Sequence, residues 1–161
     1  MDAAQISEAF DHVFDQAIVF HGFTDYMRDY DVIVYAAADP RTGIEPEYLR
    51  YRFKHCVEAS VTSAVSPASW SASLGDRFVD DWQDQDLDGY VWGVRWQVLY
   101  PGAKLLPKSK SGSVWSARLG VPFHEALIEA NGHNISLVFS DLVTDRVVPG
   151  YAPFTVTLDE K

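Results

Sequence analysis

The stretch Tyr48-Leu49-Arg50-Tyr51-Arg52-Phe53-Lys54-His55-Cys56-Val57-Glu58-Ala59-Ser60-Val61 alternates apolar and polar residues almost without interruption. A period of two puts Tyr51, Phe53, His55, Val57, Ala59 and Val61 on one face and Arg50, Arg52, Lys54 and Glu58 on the other. This is the pattern of a strand with one buried and one wet face. It predicts one long strand from Tyr48 to Val65.

Working outward, the same period recurs. Val32 to Ala37 is a short apolar run followed by the turn-rich Asp39-Pro40-Arg41-Thr42-Gly43. Tyr90, Trp92, Val94, Trp96, Val98 and Tyr100 alternate with Gly93, Arg95 and Gln97, and Pro101-Gly102 ends that strand. Val114 to Leu119, Phe123 to Ala130, Ile135 to Val148 and Phe154 to Leu158 read as further strands. Asn131-Gly132-His133-Asn134 predicts a hairpin turn between two of them. The Ser-rich, basic Lys104 to Ser113 reads as a mobile connection and a solvated hairpin tip, without the leading glycine and spacing of a phosphate loop.

Helical periodicity is clearest at the amino end. Ile6, Phe10, Val13, Phe14, Ala17 and Ile18 recur at three and four residues, which predicts a helix over residues 3 to 21. Asp2 and Gln5 form a capping pair at its start, and His21 and Gly22 suit its end. Between Ser66 and Trp82, the spacing of Leu74, Phe78 and Trp82 and the pair Ser73/Asp76 suggest a second, short helix. Consecutive strands without intervening helices imply antiparallel pairing. The expected fold is therefore α+β: one domain over residues 1–161, with an N-terminal amphipathic helix packed on a predominantly antiparallel, curved β-sheet of about six strands. Strong curling toward a half-barrel would leave an internal cavity.

The chain has 161 residues, is 47% hydrophobic and 14% aromatic, and carries a formal net charge of −10. That length and composition suffice for a sizeable core without staples. The charge opposes nucleic acid and anionic membrane as partners and favours a basic protein, although negative charge also serves plain solubility. One cysteine, Cys56, excludes an intrachain disulfide and fits a reducing compartment. Met1-Asp2-Ala3-Ala4-Gln5 lacks the basic lead and apolar run of a secretory signal, so a cytoplasmic location is the expectation.

Four groups of residues carry possible chemistry. Asp84, Asp86 and Asp88 before Gly89 match the first half of an EF-hand-like calcium loop, but Arg95 stands where the bidentate glutamate belongs. An acidic turn with no cofactor is the simpler reading. Asp80, Asp81, Trp82 and Asp84 lie in a segment with six aspartates from Asp76 to Asp88; its carboxylates and tryptophan suit a basic protein partner. Tyr51, His55, Trp92, Trp96 and Tyr100 would line a pocket for an apolar or sugar-like ligand, or simply pack as core. Cys56 as nucleophile competes with Cys56 as a small buried hydrophobe.

The remaining titratable pairs are weaker. Glu8 and His12 have the spacing of a helical ion pair, and Glu125 and Glu129 share a strand face. His124 and Glu125, being adjacent on a strand, point apart. The common enzyme signatures are absent. The leading expectation is a non-catalytic, immunity-like recognition protein for a basic partner, as a monomer or a homodimer. The alternatives are a carrier or sensor of a small ligand, and an enzyme using His55 or His124 as base.

Overall fold

The computed structural model describes residues 1–73 and 97–152. Helix α1, Ala3–Asp11, begins with the expected capping box: the Asp2 side chain accepts from the Gln5 N–H, and the Gln5 side chain accepts from the Asp2 N–H. It buries Ile6 and Phe10 and then stops. The expected continuation to residue 21 is instead strand β1, Ala17–Thr24, entered through Asp15 in the left-handed region (φ 61°). Ile18 and Val19 are β-branched and suit a strand, and Ile18 reaches the core from β1 just as it would have from a helix. His21 and Gly22 are accordingly strand residues rather than a helix end.

A hairpin leads from β1 into β2, Asp29–Ala36, and a short 3-10 turn (Pro40–Thr42) leads to β3, Glu47–Lys54. The long strand expected from Tyr48 to Val65 is divided: β4, Glu58–Ser63, belongs to a different sheet. Helix α2, Pro67–Ser73, follows. Of the alternation predicted for Tyr90 to Tyr100, only β5, Gln97–Val98, and the residues after it fall within the described chain. Then come β6 (Gly102–Leu105), helix α3 (Lys110–Leu119), β7 (His124–Glu129), β8 (His133–Phe139) and β9 (Asp141–Val147). The expected strand Phe154 to Leu158 lies outside the described residues.

The predicted mobile connection Lys104 to Ser113 and the strand Val114 to Leu119 are replaced by β6 and α3. Ser109 caps the helix by accepting from the Gly112 N–H at 2.8 Å, and Gly120 closes it in the left-handed conformation (φ 71°). The Asn131-Gly132 hairpin between β7 and β8 is present as expected.

The expected α+β fold, an N-terminal helix on antiparallel, curved β-structure, is present, with the strands divided between two sheets ordered β5-β1-β2-β3-β9 and β4-β8-β7-β6. Three chain segments run from one sheet into the other: β3 into β4, β8 into β9, and β5 into β6. The hydrogen-bonded neighbours therefore form a ring of six segments, a flattened barrel with corners where the strands bend. At one corner Lys54 pairs with Asp141 and Glu58 with Val138, so three residues, His55 to Val57, oppose two, Phe139 and Ser140. This extra residue is a β-bulge, with His55 at φ 49°, and it bends the strand.

The core lies between the sheets: Val32, Val34, Tyr51, Phe53 and Leu142 from one, Ala126, Ile128, Ile135, Leu137 and Phe139 from the other, and Ile6 and Phe10 from α1. The internal space lined by Phe10, Val13, Tyr51, Phe53, Leu99 and their neighbours is only about 10 Å3. That is too little for any ligand, so among the described residues the barrel is packed rather than hollow. No helix of the described residues is long and apolar enough to cross a membrane.

Candidate functional site

The structure places the sequence-predicted residues in separate regions. Tyr51 is buried in the core, and its hydroxyl donates to the Ala9 carbonyl of α1 at 2.7 Å. Burial pushes this phenol up to about 12. His55 stands on the outside of the sheet corner, sharing a 2.7 Å hydrogen bond with the Ser140 hydroxyl. Tyr100 is 61% exposed, with its ring 6.0 Å from that of Phe14. Trp92, Trp96, Asp80, Asp81, Trp82 and the Asp84-Asp86-Asp88 turn lie outside the described residues. Among the described residues no cluster of three or more His, Cys, Asp or Glu is arranged to hold a metal ion.

Cys56 is buried, and burial pushes its thiol up to about 12. A thiol so protonated is a poor nucleophile. Glu125 and Glu129 are separately engaged, Glu125 with the hydroxyls of Ser109 and Ser136 and Glu129 with Lys104 at 2.6 Å. His55 and His124 both line an open cleft of about 620 Å3 beside the start of α1, with Ser140 and Asp141.

Among the described residues the most unusual surface is the tip of the β1–β2 hairpin. Asp25, Tyr26 and Met27 are three successive non-glycine residues in the left-handed region, at φ 50°, 61° and 60°. Each such residue costs on the order of 1–2 kcal/mol. The conformation holds Tyr26 97% exposed and Met27 72% exposed. It is braced from both sides: Arg28 Nη2 donates to Asp25 Oδ2 at 2.8 Å, and the Cys56 N–H donates to the Arg28 carbonyl at 2.8 Å.

Directly beneath the tip, Asp29 is fully buried and meets Lys54 Nζ, the His55 N–H at 2.9 Å and Arg28 Nε at 3.7 Å. Burial alone would raise the Asp29 carboxyl; Lys54, the His55 N–H and Arg28 outweigh it and hold the group below the usual carboxylate range. The next residue on this face, Asp31, is also fully buried and receives both Arg52 Nε (2.8 Å) and Nη2 (2.9 Å). The bulge at His55 thus ties the sheet corner to the hairpin, and the tip stands on a rigid base of paired charges.

Sequence reasoning passed over this tip. Asp25-Tyr26-Met27-Arg28 contains no glycine, proline or asparagine, and the helix expected over residues 3 to 21 hid the strand that leads into it. The available signal was a polar interruption between the apolar runs Ile18–Phe23 and Val32–Ala36.

Where β1 and β8 of the two sheets come together, His21 Nδ1 and the Tyr30 hydroxyl share a 2.8 Å hydrogen bond, and the His133 ring lies 6.2 Å from that of His21. Burial, and then His133, lowers the His21 pKa from its usual 6.5. Burial shifts His124 in the same direction. The unfolded chain takes up these protons near pH 6.5, while the folded chain resists until lower pH. Their contribution to stability is complete above 6.5 and is lost as pH falls through that value toward the lowered folded one. The urea midpoint is expected to fall between pH 7.5 and 5.5, and His21→Phe is expected to reduce that drop. An identical drop in the variant would remove His21 from the account.

Over the described residues, the chain is a packed α+β barrel with an apolar hairpin tip and no internal space for a ligand, and its distinctive chemistry is displayed on its surface. The chain belongs to the YxiG-like protein family, whose model matches residues 2–157. No curated protein matches it.

Proposed function

We propose that this chain is a non-catalytic recognition protein for a basic protein partner, with Tyr26 and Met27 as apolar anchors and its negative charge as the steering field. The observation that carries this reading is the outward presentation of Tyr26 and Met27 in a conformation that costs energy and is braced by Arg28, Asp25 and Asp29. A preorganised tyrosine loses little entropy on docking, and tyrosine is prominent among interface hot spots. The net charge of −10 would accelerate encounter with a cationic surface. Asp80, Asp81, Trp82 and Asp84 are proposed to belong to the same interaction. Catalysis, a cofactor and an internal ligand play no part in it.

A second reading is favoured by one observation only. His55 and His124 share a cleft with room for a small polar molecule, as a ligand-binding or enzymatic site would require.

A photo-crosslinking residue in place of Tyr26, activated in the native cell, tests the first reading. It is expected to give a discrete adduct with a basic protein, several-fold reduced when Asp80, Asp81 and Asp84 are changed to lysine. The same crosslinker at Arg146 on β9 serves as the control. An acidic adduct, or labelling no stronger than at Arg146, would refute the proposal.

A further inference from the structure

We infer that the free edge of β4 pairs with the same edge of a second copy of this chain, joining two four-stranded sheets across a two-fold axis. This inference is independent of the recognition reading. Among the described residues β4 pairs with β8 alone, and all six residues from Glu58 to Ser63 are exposed. Yet Ala59 and Val61 stand opposite Leu137 and Ile135, both fully buried core residues, and directly opposed residues of an antiparallel pair share a face. Val61, 43% exposed, therefore extends the core-facing side of the sheet beyond the point where the described residues cover it.

The free backbone groups can be assigned. The Ala64 N–H donates to the Gly132 carbonyl at 2.9 Å and continues the register of Ser63 opposite His133. Even-numbered residues of β4 thus bond toward β8, and Ala59, Val61 and Ser63 turn their N–H and C=O groups outward. Sheet edges are usually guarded by lysine, proline or an inward charge. Residues 59–63 hold none of these. The only charge on the strand, Glu58, is at its first position and is occupied by Trp115 Nε1 at 2.6 Å and Ser111 Oγ at 3.1 Å of α3.

The strand is also self-complementary. A two-fold axis at Val61 sets Val61 against Val61 of the second copy, Ala59 against Ser63, and Ser60 against Thr62. The outward N–H and C=O groups then meet in pairs, and the two Glu58 carboxylates fall at opposite ends, roughly 20 Å apart along the strand direction. Two chains of net charge −10 repel over most of their surface. This nearly uncharged edge is where they can approach.

Sedimentation velocity of the purified chain from about 5 to about 200 µM tests the inference, because a strand-edge interface is at the small end of stable interfaces and should dissociate within that range. The mass is expected to rise from 18.1 kDa toward twice that value. Val61→Pro removes an outward N–H without touching a bond to β8, and Val61→Lys places a charge at the axis. Both are expected to stay monomeric throughout with wild-type circular dichroism; if the proline variant does not fold, the lysine variant decides. Amide protection at Ala59, Val61 and Ser63 is expected to increase with wild-type concentration. A wild-type chain still at 18.1 kDa at the highest concentration would overturn the inference, as would a Val61→Lys variant that dimerises like wild type.

Discussion

Replacing Arg52 with methionine is expected to destabilise the protein by about 3–5 kcal/mol, read as a shift of the urea midpoint with an unchanged slope. The reason is Asp31. Its carboxylate is fully buried, and the Arg52 guanidinium supplies two parallel hydrogen bonds to it, at 2.8 and 2.9 Å. Asp31 in turn, with its hydrogen bonds, keeps that guanidinium firmly protonated. Removing the cation leaves a buried charge with its partner gone, which costs far more than the pair contributes when intact. The double variant Asp31→Leu with Arg52→Met is expected to recover most of the loss, because the unpaired charge leaves with its partner. If the single and double variants lost the same stability, packing of the Arg52 stem rather than the buried charge would be responsible.

Phe139→Ala is expected to cost a comparable 3–5 kcal/mol. Phe139 is fully buried at the end of β8 and meets the Phe53 ring edge-on, with centroids 4.8 Å apart and planes at 84°. It holds the two sheets together beside the corner where β8 passes into β9. Because the interior is already close-packed, neighbours can collapse only in part into the space left behind. Thermal unfolding would show the effect as a lowered midpoint; a change of less than about 1 kcal/mol would mean that the corner repacks freely.

The two variants touch the parts of the fold that the sequence conveyed best and worst. The alternation of Tyr51 and Phe53 with Arg50, Arg52 and Lys54 correctly divides β3 into an inner and an outer face, and Asp2 with Gln5 correctly opens α1. The antiparallel α+β class follows from the same periodicities. The corner was not legible, because a single extra residue at His55 bends the strand while the sequence goes on alternating, with neither glycine nor proline to mark it.

Helix α3 was hidden for a different reason. Its stretch Lys110-Ser111-Gly112-Ser113 reads as a loop, yet Gly112 is where the helix makes its close approach to the chain just before β7. A Cβ at Gly112 would lie 2.9 Å from the Phe123 carbonyl oxygen. Close approach selects small residues and erases the apolar stripe by which amphipathic helices are recognised. The hairpin tip escaped notice because, of its left-handed residues, only Asp25 belongs to a type that favours that conformation, while Tyr26 and Met27 do not announce it. Two contacts hold it: the Arg28–Asp25 pair, local to the turn, and the tertiary tie from the Cys56 N–H to the Arg28 carbonyl, which comes from the sheet corner and has no local sequence signature.

The proposed recognition function requires a packed interior and a binding site on the surface. Native mass spectrometry of the freshly purified chain tests this most directly, since one spectrum reports bound small molecules, metal and subunit number. The expected result is the bare chain of 18.1 kDa together with its bare dimer. A stoichiometric added mass that survives purification and disappears on His124→Ala substitution would contradict the account and move the function to the cleft shared by His55 and His124.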